Sequence, residues 1–273
     1  MQPSHPQTVA ESRAHMPPGT QTILNSRSLQ TAHRRLPALL HPGLIVLDVG
    51  CGTGAITQGI ANAVAPHGRV VGVDTNATLI TEAQQTHRDI PGLSFEVGDV
   101  YRLPFREAFD LVHAARVLQW LAHPREALET MATCTKRGGR VVVLDYNHEK
   151  IVWTPEPPPS MQGFYRAFLY WRSEAGMDNA IADRLPALFD SAGLVDIRLT
   201  PQHEMTQRAD ADFAVRMGIW AEVAASRGYQ MVRDQVVTEP QRAEAEVAYR
   251  QWIHAEAASQ QLYLLSVEGT RPQ

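Results

Sequence analysis

The strongest constraint on how this chain folds is a short apolar segment that runs into a glycine turn. Residues 44–49 are apolar except for Asp48, and Gly50, Gly52 and Gly54 follow at alternate positions. A short run rich in isoleucine and valine is typical of a strand that is covered on both faces. Glycines remove the Cβ atoms where the chain turns sharply, so a ligand can lie against bare backbone. The segment therefore predicts a buried strand, a tight turn and a ligand site at the turn.

A second predicted strand, residues 69–74, ends on the acidic residue Asp74. Asp74 lies 20 positions after Gly54. This spacing is expected when an acid at the end of the next strand binds a ribose hydroxyl. The two features together predict a nucleotide-like cofactor.

The glycine turn fits two classes of cofactor. Gly50, Gly52 and Ala55 also satisfy the loose dinucleotide pattern. Asp48 disfavours that interpretation, because its carboxylate would meet a pyrophosphate. A cationic ligand is instead attracted to the same carboxylate.

The pattern Asp48-x-Gly50-x-Gly52-x-Gly54 resembles the first motif of class I S-adenosylmethionine-dependent methyltransferases. The resemblance is to the small-molecule type, similar to the quinone-biosynthesis methyltransferases; it covers residues 23–199 and is weaker after Tyr146. It implies that S-adenosylmethionine binds with its amino-acid end against the glycine loop. The residues that it assigns to the cofactor are Asp48, Gly50, Cys51, Gly52, Gly54, Asp74, Thr75, Asp99, Val100 and Arg116.

Two of these residues, Asp99 and Arg116, come just after predicted strands. Asp99 comes after residues 93–97 and resembles the family's acid that reaches the adenine amino group. Arg116 comes after residues 109–115, in a segment that resembles a short post-strand helix near the cofactor mouth. Ligands of such sheets bind at the carboxyl ends of the strands, where both residues are expected.

Alternating strands and helices predict an α/β fold with a Rossmann-like, seven-stranded, doubly wound sheet. The predicted strands are residues 44–49, 69–74, 93–97, 109–115, 140–146, 195–199 and 261–267. The predicted helices are residues 23–40, 55–65, 79–88, 124–135, 161–175 and 181–192.

The second half of the chain has a different character. Residues 147–160 contain consecutive prolines, which predict an extended connector. Residues 200–260 have a helical pattern and predict an insertion that either covers the site as a lid or forms a dimer or scaffold surface. We divide the chain into a flexible tail (1–20), a cofactor-binding core (21–146) and the rest of the sheet with the insertion (147–273).

Methyl transfer requires an acceptor atom in line with the departing sulfur, and an oxygen or nitrogen acceptor also needs a base. His148 follows the fifth predicted strand and is the candidate base, with Tyr146 beside it. Asn147 is a candidate to orient the acceptor. Tyr165 and Trp171 either line an aromatic acceptor pocket or pack a helix against the core.

Composition limits the function classes. The formal net charge is −4 and the 25 Lys and Arg residues are scattered, which disfavours nucleic acid as a partner. Two cysteines, Cys51 and Cys134, cannot form a disulfide framework, and no histidine pattern indicates a metal. The sequence has no apolar run of the roughly 18 residues that span a bilayer. We therefore expect a cytoplasmic enzyme that acts on a small molecule, with a homodimer as one assembly that the helical surface allows.

Two other functions remain open. An NAD-dependent dehydrogenase is disfavoured by Asp48 and by the lack of a Tyr-x-x-x-Lys pair. A non-catalytic, S-adenosylmethionine-binding regulatory or partner protein would carry the same binding residues, and the sequence does not separate it from an enzyme.

Overall fold

A computed structural model describes residues 6–16 and 27–273. Within these residues one mixed sheet contains β1 (Ile45–Val49), β2 (Arg69–Asp74), β3 (Leu93–Val97), β4 (Phe109–Ala115), β5 (Thr135–Thr154), β6 (Val195–Pro201), β7 (Glu204–Gln207) and β8 (Ser259–Thr270). The helices are α1 (Pro6–Ala14), α2 (Leu29–Ala32), α3 (Ala55–Val64), α4 (Ala77–Thr86), α5 (Pro124–Cys134), α6 (Pro159–Glu174), α7 (Ile181–Ser191), α8 (Phe213–Met217), α9 (Ile219–Ala225), α10 (Arg227–Arg233) and α11 (Glu239–Ala255). Three 3-10 turns lie at Leu36–Leu39, Val100–Arg102 and Leu118–Trp120.

The strand order is β3-β2-β1-β4-β5-β8-β6, and β7 pairs with β8. Strands β1 to β5 run parallel, whereas β8 is antiparallel to β5, β6 and β7. The predicted doubly wound, Rossmann-like fold is confirmed. Because β1 lies between β2 and β4, the connections leave it in opposite directions, and a ligand crevice opens at the carboxyl ends of these strands.

The central strands are apolar because both of their faces are covered. Val46 of β1 packs with Ile60 of α3 on one face, and Leu47 packs with Met131 of α5 on the other. The exception is Asp48, which lies level with Gly72 of β2 and His113 of β4. Asp48 and His113 therefore form one polar pair in the buried centre of the sheet.

We call α6 and α8–α11 the helical layer. It packs on the sheet at Leu144, Tyr146 and Leu264 around an aromatic core. At its centre, the rings of Tyr165 and Trp220 meet edge to face with centroids 4.6 Å apart. The helical character predicted for residues 200–260 is present, and the insertion also contains the short strand β7.

Three local expectations differ from the structure: the helix over residues 23–40, the connector over residues 147–160 and the N-terminal tail. The predicted helix over residues 23–40 is broken where it is described, because α2 ends at Ala32 and a separate 3-10 turn, with Pro37 in it, begins at Leu36. Residues 23–26 lie outside the described part. Strand β5 extends to Thr154 and pairs with β8 as far as Ser259. Much of the predicted connector is therefore strand.

Part of the segment predicted to be a flexible tail is a docked helix. Ala10 of α1 is buried beside Ala175 and Met177. Arg13 forms an ion pair with Asp234 of α10 at 3.3 Å. Residues 1–5 and 17–20 of that segment lie outside the described residues.

Candidate active site

The glycine turn requires its glycines for its own conformation. Gly50, Gly52 and Gly54 have φ angles of +71°, +55° and +80°, which L side chains adopt only with strain. A Cβ on Gly50 would lie 2.3 Å from a methyl group of Val117. The N–H groups of Gly50 and Cys51 both donate to the Val73 carbonyl, at 2.7 and 3.1 Å. These bonds hold the turn against the end of β2.

Asp74 lies beside the turn, as the sequence predicts. Its Oδ2 accepts the Gly52 N–H at 3.0 Å, and its Oδ1 accepts the Asn76 N–H at 2.9 Å. Burial raises the pKa of this carboxyl, and the two N–H groups oppose that rise. A carboxylate has about four acceptor positions, so Asp74 can still accept hydroxyl groups of a ligand.

Asp99 lies next to Asp74 across the sheet. The Gly98 N–H donates to the Asp74 carbonyl at 3.0 Å. Asp99 Oδ1 accepts the Tyr101 N–H at 3.0 Å and caps the turn that contains the buried Val100. The structure therefore brings together the glycine turn, Asp74 and Asp99 at one edge of the sheet.

Asp48 is held inside the protein. Its Oδ2 accepts the Thr57 hydroxyl at 2.7 Å, and its Oδ1 lies 2.8 Å from His113 Nδ1. Because both oxygens are engaged and the residue is 3% exposed, direct contact between Asp48 and a cationic ligand stays a prediction. Cys51 is half-buried, and burial raises the pKa of its thiol well above the usual value.

Arg116 follows β4 in a left-handed conformation, with φ +62°, before the 3-10 turn begins. It is buried rather than open at a cofactor mouth. Its Nε donates to the Tyr146 hydroxyl at 2.8 Å, and one Nη pairs with Glu204 of β7 and with the Ala32 carbonyl. Arg116 thus joins β4, β5, β7 and α2, and its contact with the cofactor stays a prediction.

His148 lies with Tyr146 in β5, just beyond the part of the strand that pairs with β4. The two rings stack with centroids 5.2 Å apart. The Tyr165 hydroxyl donates to the His148 carbonyl at 2.6 Å. Burial, followed by the nearby Arg172 cation, lowers the pKa of His148 well below its ordinary value. His148 is therefore neutral at physiological pH, as a proton acceptor must be.

Sequence reasoning missed the partners of His148. Gln119 Oε1 lies 2.6 Å from His148 Nε2, and Arg172 Nη1 lies 3.1 Å from both atoms. Arg172 is fully buried. A lone cation on an otherwise aromatic helix face was the signal that could have found it.

Two residues that the sequence assigns to the acceptor, Asn147 and Trp171, have their side-chain hydrogen bonds away from His148. Asn147 points to the opposite face of the sheet, where its Nδ2 donates to Asp183 of α7 at 2.7 Å. Trp171 is 0% exposed, and its Nε1 donates to Asp234 at 2.7 Å. Their contact with an acceptor stays a prediction.

A groove of about 610 Å³ lies on the helix side of the glycine turn. The residues lining it include Arg27, Leu29, Thr53, Ala55, Gln58 and His87. It borders the turn through Thr53 and Ala55, whereas Asp74 and His148 lie outside its lining. The groove therefore meets the glycine turn at Thr53, and its lining does not include the strand-end acid Asp74.

Neither a membrane span nor a metal centre is present within residues 6–16 and 27–273. No helix in these ranges is long and apolar enough to cross a bilayer. No group of three or more histidine, cysteine or acidic side chains in the same ranges is placed to hold a metal ion.

Comparison with known proteins supports the family. Residues 40–166 match the model of a family described as a methyltransferase domain. Ubiquinone/menaquinone biosynthesis C-methyltransferase UbiE of Laribacter hongkongensis is 34% identical over 121 residues, which are 44% of this chain and 48% of the relative. The chain spans less than half the length of the curated relatives that it matches.

Solved structures share the fold at low identity. Phosphoethanolamine N-methyltransferase 2 of Haemonchus contortus, solved with phosphomonomethylethanolamine and S-adenosylhomocysteine, has a TM-score of 0.56 at 16% identity and covers 97% of this chain and 57% of its own. The [4+2]-cyclase SpnF has a TM-score of 0.54 at 20% identity, covering 97% of this chain and 91% of its own. The predicted resemblance is confirmed: residues 40–166 of this chain are similar to a methyltransferase domain, and the fold is the one that the solved methyltransferase shares.

Proposed function

We propose that this protein transfers a methyl group from S-adenosylmethionine, the cofactor of its family, to a small organic acceptor. The observation that carries the proposal is the convergence of the glycine turn, Asp74 and Asp99 at the carboxyl ends of β1, β2 and β3. The SpnF cyclase has the same fold, so the fold alone does not decide the reaction.

The residues present fit the cofactor. Asp74 and Asp99 offer carboxylate oxygens, which suit the hydroxyl and amino donors of a nucleoside. The buried hydroxyl of Thr53 in the turn has no hydrogen-bond partner among the residues that the structure describes, and such an atom is costly unless a ligand or water binds it. In the proposal Asp74 holds the ribose, Asp99 and Val100 hold the adenine, and the turn with Thr75 flanks the rest of the molecule.

The bound cofactor supplies an electrophilic methyl group on a sulfonium. An acceptor atom must lie roughly 3 Å from the methyl carbon, in line with the bond to sulfur. With the cofactor bound, formation of the acceptor–carbon bond would break the carbon–sulfur bond and leave its electron pair on sulfur. The products are the methylated acceptor, S-adenosylhomocysteine and one proton.

His148 takes that proton in the proposed mechanism. The hydrogen bonds that the described residues make to its ring all reach Nε2, which leaves Nδ1 for the acceptor. Tyr146 accepts a bond from Arg116, so its own O–H is available to donate to the acceptor. Burial raises the pKa of Tyr146, and the hydroxyl therefore stays protonated as a donor.

Two steps test the proposal. Calorimetric titration of the full chain should show binding of S-adenosylhomocysteine and none of NADH; the reverse result would favour a dehydrogenase. An acceptor screen with methyl-labelled S-adenosylmethionine should then find turnover. Cofactor binding without turnover on any acceptor would favour a regulatory or partner protein.

A matched pair of variants tests the base. His148→Asn should retain S-adenosylhomocysteine binding and lower kcat by roughly 100-fold or more, the usual contribution of a general base. The exposed His67→Asn should change neither quantity. The cytoplasmic location, the homodimer and the lid role of the helical layer stay predictions.

A further inference from the structure

Gln119 is a buried side chain that the proposed mechanism has not used. It is 3% exposed and lies in the turn between β4 and α5. Its main-chain N–H donates to Asp145 Oδ2 at 3.1 Å, and its carbonyl accepts Arg172 Nη2 at 2.7 Å. Both main-chain polar groups of Gln119 are therefore fixed to neighbouring elements.

The side-chain amide of Gln119 has only one chemically consistent orientation. Its Nε2 donates to the Arg116 carbonyl at 3.2 Å, and its Oε1 accepts Arg172 Nη1 at 3.1 Å. A flipped amide would place its NH₂ group against the guanidinium, donor against donor, and its oxygen against a carbonyl. The oxygen therefore faces His148.

The amide orientation fixes the proton on the His148 ring. Gln119 Oε1 can only accept, and it lies 2.6 Å from His148 Nε2, so Nε2 carries the hydrogen. Without that hydrogen, two acceptor atoms would lie 2.6 Å apart and repel each other. Arg172 Nη1 also lies 3.1 Å from Nε2; with the hydrogen on Nε2, the N–H of Arg172 is accepted by Gln119 Oε1 at 3.1 Å, and the guanidinium charge keeps the resting ring neutral.

The main chain of His148 is equally constrained. Its N–H donates to the Asn179 carbonyl at 2.8 Å, and its carbonyl accepts the Tyr165 hydroxyl. The ring also stacks on Tyr146. The rings that pack on the imidazole are those of Tyr146, Phe168 and Trp220, and the charged group that faces it is the Arg172 guanidinium.

We propose that Gln119 is a positioning residue for methyl transfer: it holds His148 in the Nε2–H form and leaves Nδ1 unprotonated to take the acceptor's proton. The role of this tautomer in proton transfer rests on the proposed function. The tautomer itself follows from the three bonds of the Gln119 amide.

Nitrogen NMR of the His148 ring tests the tautomer. In the full chain labelled with ¹⁵N-histidine, we expect Nε2 to have the shift of a protonated nitrogen and Nδ1 that of an unprotonated one. Gln119→Met should mix the two tautomers. The control Gln260→Met removes another buried amide, which accepts from Trp153, and should leave the His148 signals unchanged. A wild-type spectrum with the proton on Nδ1 would overturn the proposal.

Kinetics with an acceptor from the screen test the catalytic role. Gln119→Met should lower kcat roughly tenfold to a hundredfold, part of what a general base contributes, with KM for the cofactor unchanged. Gln119→Glu should stabilise the imidazolium and move the acid limb of the kcat/KM profile to higher pH. An unchanged kcat and an unmoved acid limb would refute the role. The NMR experiment needs no acceptor, so a failed screen counts against the proposed function alone.

Discussion

The Asp74 carboxylate and the Gly52 N–H are joined by a hydrogen bond of 3.0 Å. This bond links the end of β2 to the middle of the glycine turn. The acid that the sequence assigns to a ribose therefore also stabilises the backbone against which the cofactor is proposed to lie. A change at Asp74 should affect both binding and the shape of the turn.

Replacing Asp74 by alanine tests this double role. We expect Asp74→Ala to weaken S-adenosylhomocysteine binding by about 1–3 kcal/mol, because a buried N–H of the turn and the ligand hydroxyls lose their acceptor. Calorimetric titration measures the affinity. Asp89, whose side chain is 89% exposed, provides the control Asp89→Ala. Equal affinities of the two variants would mean that the ribose contact is misassigned.

The turn glycines give a second prediction. Gly50→Ala combines a strained positive φ with the Cβ contact to Val117, and we expect it to lower the free energy of unfolding by about 2–4 kcal/mol. Gly163 lies inside α6, and a Cβ added there would meet no atom within 4 Å. Gly163→Ala should therefore raise stability by about 0.5–1 kcal/mol. Denaturant unfolding measures the free energy of unfolding of both variants. Equal stability of Gly50→Ala and Gly163→Ala would contradict the geometry of the turn.

The placement of the proposed cofactor acids beside the glycine turn was predictable from the sequence, whereas the surroundings of His148 were not. The positions of Asp74 and Asp99 follow from strand order, because the carboxyl ends of parallel strands share one edge. The bounds of β3 and β4 agree with the predicted residues because turn residues flank both strands. The contact between Gln119 and Arg172 joins residues 53 positions apart. It arises only when α6 packs against His148 of β5 and against the 3-10 turn that follows β4, and no local pattern encodes that packing.

Buried histidines predict how stability depends on pH. Burial, then His113 and Arg116, lower the pKa of His33 to about 2. Below the unfolded-state pKa of 6.5, the unfolded chain binds a proton that the folded chain refuses, so stability is full above that pH and falls as the pH is lowered. We expect His33 to account for a loss of about 2 kcal/mol between pH 7 and pH 5.

The variant His33→Leu isolates that contribution. Between pH 7 and pH 5, the free energy of unfolding of the variant should fall by about 2 kcal/mol less than that of the wild type. The exposed His67→Leu serves as the control and should follow the wild type. Parallel curves for the wild type and His33→Leu would show that His33 is protonated in the folded state.

The ion pair between Arg116 and Glu204 is the last prediction. The Arg116 side chain is 3% exposed and that of Glu204 is 26% exposed, so water screens their attraction less than at an open surface. A double-mutant cycle with Arg116→Met and Glu204→Gln should give a coupling energy of about 1–3 kcal/mol in denaturant unfolding. The bonds of Arg116 to Tyr146 and Ala32 cancel in the cycle. The exposed pair Arg125 and Glu129 on α5 should couple by at most about 0.5 kcal/mol. A coupling no larger than that of the exposed pair would mean that β7 is not held to the end of β4 by this charge contact.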